Sequence, residues 1–168
     1  STLLSRMLGT LKTVRVVSEP ESINGLLLSK RLYGIEDQKI IDQLKTIISL
    51  YQQKEGDKAS LVLKLTSWNI FDMSIFLQAF PDVKWIFLDR DTDDLMASLM
   101  RSDGGFIDWW KHPVDELRKH FLEKSKSIVD KKDYLLEMIK GHRSFANNHK
   151  DGNALFVNYP DFLENYQA

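Results

Sequence analysis

Apolar residues recur along this chain in two rhythms, and the switching between them predicts the order of elements. Leu3, Leu4, Met7, Leu8 and Leu11 fall at helical spacing and predict a helix over residues 1–11. Val14-Arg15-Val16-Val17 is a short β-branched run and predicts a strand. Ser18-Glu19-Pro20-Glu21 reads as a helix start, with Ser18 as cap, Pro20 in the first turn and Glu21 closing a capping box. Ile23, Leu26, Leu27 and Leu28 continue that helix until Gly34 breaks it. From Glu36 to Gln53, the positions Ile40, Ile41, Leu44, Ile47, Ile48 and Tyr51 repeat at three and four, which predicts an amphipathic helix.

The same alternation continues downstream. Ala59 to Leu65 predicts a strand, and Asn69 to Phe80 a helix with Ile70, Met73, Phe76 and Leu77 on one face. Val83 to Leu88 is apolar with hardly any alternation, which predicts a strand buried on both faces. Asp91 to Arg101 predicts a helix, acidic at its start as the helix dipole favours. Gly104-Gly105 breaks the chain. A helical stretch runs from Pro113 to about Asn147, and its charged run Asp130-Lys131-Lys132-Asp133 is either a solvated face or a joint between two helices. Asn153 to Tyr159 predicts a strand, and Pro160 to Tyr166 opens a last helix. Strands separated by helices predict an α/β fold, a three-layer parallel sheet flanked by helices, in a single domain over 1–168. Ligands of such sheets sit beyond the carboxyl ends of the strands. That rule singles out Ser1-Thr2, Ser18-Glu19, Lys64 to Asn69, and Leu88 to Asp94.

Composition narrows the function classes. With 168 residues, 43% apolar and 11% aromatic, the chain can bury a core, which argues against disorder. Lys and Arg number 23 against 24 Asp and Glu, a net charge of −1, so the basic footprint of a nucleic-acid binder is missing. Zero cysteines exclude disulfides, thiolate catalysis and Cys-ligated zinc. They also fit a reducing compartment, so a cytoplasmic location is expected. The longest apolar run, Trp85-Ile86-Phe87-Leu88, falls far short of the roughly 18 residues of a membrane span, so no membrane partner is expected within this segment. His112, His120, His142 and His149 lack any tight ligand spacing, and no metal site is expected.

Several residues at the strand ends could carry chemistry, and each also has a plainer reading. Ser1 and Thr2 open a helix, where N–H groups and hydroxyls make a phosphate seat or an ordinary cap. Glu19, at a strand-to-helix turn, is a general base if partly desolvated, or an acidic residue favoured by a helix N-terminus. Lys64 closes an apolar strand and reaches either solvent or a ligand anion. The following Thr66-Ser67-Trp68-Asn69 also reads as a plain cap at Asn69. Arg90 follows a strand directly, so its guanidinium forks onto a phosphate or pairs with Asp91, Asp93 or Asp94. Asp89 after Trp85-Ile86-Phe87-Leu88 resembles a Walker B strand, whose Asp supports Mg²⁺ in nucleotide hydrolases. Trp109-Trp110 either walls a pocket or packs a loop onto the core.

Four segments, in order, at residues 1–8, 17–20, 80–91 (with Ser98 beyond) and 155–165, resemble the sulfotransferase family that uses 3′-phosphoadenosine 5′-phosphosulfate (PAPS). Ser1-Thr2-Leu3-Leu4-Ser5-Arg6-Met7-Leu8 resembles the end of that family's 5′-phosphosulfate loop and its helix. Val17-Ser18-Glu19-Pro20 resembles the segment after the first helix. Phe80 to Asp91 resembles the strand leading to the 3′-phosphate motif, and Arg90 and Ser98 have that motif's spacing. Leu155 to Asn165 resembles a late "YEDL…NP" stretch.

The resemblance implies a P-loop-like nucleotide-binding fold and transfer of a sulfuryl group from PAPS to an acceptor hydroxyl or amine, without a metal. It implies that Ser1 and Thr2 bind the 5′-phosphosulfate end, and that Arg90 and Ser98 bind the 3′-phosphate. Cytosolic small-molecule members use a His just after the strand Lys, whereas this chain reads Lys64-Leu65-Thr66-Ser67-Trp68. The tyrosylprotein branch uses a Glu after the first helix, where Glu19 falls. The implied base is therefore Glu19, with Lys64 as the electrostatic aid. The resemblance also implies that the chain begins inside the phosphosulfate loop, without the preceding strand, and ends before a Gly-rich basic segment. Two other readings stand beside it: a P-loop nucleotide kinase or hydrolase with Mg²⁺ at Asp89, and a binding domain of the same fold without catalysis. The acceptor is not legible in the residues.

Overall fold

The computed structural model describes residues 2–53, 60–118 and 128–166. The chain is mixed α/β and divides into two compact units, Ser1–Pro81 and Asp82–Ala168. Among the described residues each unit contains one two-stranded parallel sheet.

The first unit runs α1 (Thr2–Gly9), β1 (Val14–Ser18), α2 (Glu21–Tyr33), α3 (Asp37–Tyr51), β2 (Ser60–Lys64), a 3₁₀ turn (Ser67–Asp72) and α4 (Met73–Ala79). β1 and β2 pair in parallel register from Val14 opposite Ser60 to Ser18 opposite Lys64. The core lies among the helices: Ile23 and Leu27 of α2, Ile40 and Leu44 of α3, and Ile75 of α4 are wholly shielded from solvent. The three-and-four repeat of α3 therefore seats its stripe on α2 and α4 as its periodicity predicts. The face expected of the next helix is shifted. Met73 and Phe76 are buried, but Ile70 and Leu77 are only half-buried, while Ile75 and Ala79 take core positions. The cause is the 3₁₀ turn at Ser67–Asp72, which turns about 20° more per residue than an α-helix and rephases α4 behind it.

Two expected caps are also replaced. Ser18 does not cap α2. It is the last residue of β1, and Pro20 stands at the N-cap position without a side-chain bond. Asn69 caps nothing, being buried inside the 3₁₀ turn. At its far end α2 stops as predicted, on Gly34 in the left-handed conformation (φ 63°).

The second unit runs β3 (Trp85–Asp89), α5 (Thr92–Met100), a 3₁₀ turn (Gly105–Lys111), α6 (Asp115–Arg118), α7 (Lys131–Asn148), β4 (Ala154–Asn158) and α8 (Tyr159–Tyr166). β3 and β4 are parallel, from Trp85 opposite Ala154 to Asp89 opposite Asn158. Its core is the inner face of α7, where Tyr134, Leu135, Met138 and Ile139 are buried, together with Met96 of α5. The Tyr134 hydroxyl donates to the Phe106 carbonyl (2.7 Å), tying α7 to the 3₁₀ turn that carries Trp109 and Trp110. Within the charged run 130–133, Asp130 caps α7 by accepting from the Asp133 N–H. One face of the sheet packs Trp85 and Phe87 against Phe156. The other face departs from the predicted two-sided burial, because Ile86 and its register partner Leu155 are 47% and 56% exposed. The unbroken apolar run marks β-propensity here, and coverage of both faces does not follow from it.

Candidate functional site

Two polar clusters form, one at the carboxyl edge of each sheet. In the first unit, Ser18 and Lys64 end their strands side by side. The chain must then turn sharply into α2, and Glu19 does so with φ 49°, the one non-glycine residue with positive φ among those described. Its N–H donates to the Lys64 carbonyl at 2.6 Å, extending the ladder by one bond. Its carboxylate accepts a hydrogen bond from Lys64 Nζ. The Lys64 side chain is 11% exposed and that of Glu19 50%. The sheet edge thus carries a shielded ammonium and a solvent-reaching carboxylate in contact. An ammonium has three donors, so two N–H groups of Lys64 remain for a ligand oxygen.

Further polar groups lie in the segments that follow Glu19 and Lys64 along the chain. Asn24 Nδ2, one turn into α2, donates to Thr66 Oγ1 (3.1 Å), and the Asn69 N–H donates to the Thr66 carbonyl (2.9 Å). Asn24 Oδ1 and both amide atoms of Asn69 are buried without a hydrogen-bond partner among the described residues. Thr2 opens α1, is exposed, and its carbonyl accepts from Ser5 Oγ (2.9 Å). α1 packs on β1 and joins it through four residues. Ser1 lies outside the described residues.

In the second unit, Arg90 follows β3 as predicted. Its Nε and Nη2 meet Asp94 Oδ2 (3.3 and 3.1 Å), so of the two readings of Arg90 the carboxylate pairing is the one formed here. The pair is half-exposed, and the guanidinium also lies over the Tyr159 ring at 5.7 Å. Ser98 is half-buried on α5, one helical turn beyond Asp94 and therefore on the same face. The α5 face that Arg90 reaches is thus the one that carries Ser98. Asp91 caps α5, accepting from the N–H groups of Asp93 (2.8 Å) and Asp94 (3.2 Å).

Asp89 has a fuller set of partners. It accepts from the Arg90 N–H (2.8 Å), and Arg143 Nε of α7 contacts its Oδ1 (3.1 Å) and Oδ2 (2.9 Å). Arg143 Nη1 donates to Thr92 Oγ1 (2.7 Å) and Nη2 to the Arg90 carbonyl (2.6 Å). Nothing local in the sequence marks Arg143, which lies on a polar stretch of a long helix. Beside it, His142 is buried, and desolvation lowers its pKa to about 4.

Glu19 and Lys64 are therefore brought together in one unit, while in the other Arg90 stands in the turn before α5 and Ser98 on α5 itself. Among the described residues no group of three or more His, Cys, Asp or Glu side chains could hold a metal ion, and no helix is long and apolar enough to cross a membrane. Comparison with protein-family models, with curated proteins and with solved structures returned no match.

Proposed function

We propose that the chain belongs to a PAPS-dependent sulfotransferase and that it transfers a sulfuryl group to an acceptor hydroxyl or amine. The observation that carries this reading is the Glu19–Lys64 contact, a base and a cation at adjacent strand ends. On this reading Glu19 takes the proton of the acceptor group while that group's oxygen or nitrogen bonds to sulfur. The bond between sulfur and the bridging phosphate oxygen breaks, and its electron pair leaves with adenosine 3′,5′-bisphosphate. Lys64 faces the charge that grows on the bridging oxygen, where a fixed cation stabilises the transition state more than the ground state. Thr2 and Ser1 serve the 5′-phosphosulfate end. Arg90 and Ser98 serve the 3′-phosphate, which displaces Asp94 from the guanidinium. No step calls for a metal. The three-layer P-loop-like sheet implied by the resemblance belongs to this proposal.

The Mg²⁺-dependent kinase or hydrolase reading is less favoured, because it needs the Asp89 carboxylate, and Arg143 occupies both of its oxygens. Calorimetric titration with adenosine 3′,5′-bisphosphate and with ATP–Mg²⁺ decides between them. Metal-independent binding of the bisphosphate, lost in Arg90→Ala, is the expected result. A preference for ATP–Mg²⁺ overturns the proposal. Bisphosphate binding with no turnover on any acceptor leaves a binding domain of the same architecture.

A further inference from the structure

We infer that Arg143 is a positioning residue, one that aims Arg90 by clamping the turn from β3 to α5. The inference rests on the sulfotransferase reading for its functional meaning, but its geometry stands independently. A loop residue that must meet a phosphate needs a fixed main chain, since a displacement of about 1 Å can cost two orders of magnitude in a positioned site. The turn's own anchor lies past Arg90, where Asp91 caps α5; Arg90 itself is half-exposed, and its side chain rests on an exposed i,i+4 partner and the Tyr159 ring, contacts worth little by themselves. Arg143 supplies what the turn lacks. Its one planar group reaches the residue before Arg90 through Asp89, Arg90 itself through the carbonyl, and the first residue of α5 through Thr92. Asp89 in turn accepts from the Arg90 N–H, so the peptide groups on both sides of Arg90 are held. Because α7 is anchored in the core by Tyr134, Leu135, Met138 and Ile139, the clamp is referred to the most shielded part of the unit. Arginine suits this role because its fork fixes several acceptors in one plane, which a lysine cannot do.

The test uses the full chain with R143Q, R143K and the milder T92V, which removes one arm of the clamp. Two ligands are titrated, adenosine 3′,5′-bisphosphate and adenosine 5′-monophosphate, which lacks the group assigned to Arg90. Hydrogen exchange of the Arg90 amide is followed beside that of Leu135 and Met138. In R143Q the bisphosphate is expected to weaken by about tenfold or more, as for loss of charge-assisted bonds, with the monophosphate unchanged. R143K is expected to restore part of that loss, and T92V to show a smaller effect of the same kind. The Arg90 amide should exchange faster in R143Q while the α7 amides do not. Equal weakening of both ligands, or unchanged exchange at Arg90 in both R143Q and T92V, overturns the positioning role. If the wild-type chain does not favour the bisphosphate over the monophosphate, the sulfotransferase reading fails, and the exchange measurement still decides what Arg143 does.

Discussion

Glu19 holds a left-handed backbone although it carries a Cβ, at a cost of about 1–2 kcal/mol for an L-residue. Strain of that size persists where the surroundings impose it, here through the bond from the Glu19 N–H to the Lys64 carbonyl and the contact between their side chains. Two variants separate backbone from carboxylate. Glu19→Gly should be more stable than Glu19→Ala by about 1 kcal/mol in urea unfolding, because glycine accepts this φ without strain; equal stabilities would show that the turn relaxes. Glu19→Gln should leave bisphosphate affinity nearly unchanged while turnover falls by ~10²-fold or more, the usual contribution of a general base. Unchanged turnover would remove Glu19 from that role. At Arg90 the competing anion is internal. Removing it in Asp94→Asn should tighten bisphosphate binding by up to about fivefold, the scale of an exposed ion pair. Weaker binding would mean that Asp94 helps to hold Arg90 in place rather than competing with its ligand.

At the scale of elements, α7 does most of the organising in the second unit, and one of its buried groups makes that unit's stability depend on pH. His142 has a pKa of about 4 in the fold, against about 6.5 when unfolded. Between those values the unfolded chain binds more protons than the native one, so stability rises with pH through this window and levels off above it. The contribution, roughly 3 kcal/mol at most, is fully present above about pH 6.5 and is lost as the pH falls toward 4. Urea midpoints at pH 7 and pH 5 should differ accordingly, and His142→Leu should shrink the difference. An undiminished difference would assign the effect to other groups. In the first unit the exit from α2 rests on Gly34, and Gly34→Ala should lower stability by about 1 kcal/mol through the same left-handed penalty that Glu19 bears.

For the whole molecule, the net charge of −1 hides a local cation at each sheet edge, Lys64 in one unit and Arg90 in the other. Screening reaches about 10 Å at 0.1 M salt and about 3 Å at 1 M, so bisphosphate affinity should fall on raising salt more steeply than that of the monophosphate. Parallel slopes would place the second phosphate away from positive charge. Much of the chain's order was legible before folding. The strands at residues 14, 60, 85 and 154 and the helices between them obey the local periods, because a period of 2 or 3.6 is a property of neighbours in sequence. The candidates at the strand ends were legible for the same reason, since a strand's end is marked where its pattern stops. What tertiary structure alone decided were the encounters. Lys64 meets Glu19 across 45 residues, and Arg143 meets Asp89 across 54. It also decided that Asp94 fills the Arg90 fork, that a 3₁₀ turn rephases α4, and that Ile86 and Leu155 stay exposed. Those outcomes depend on strand register and on which helix covers which face, and both are set by packing between distant segments rather than by any local pattern.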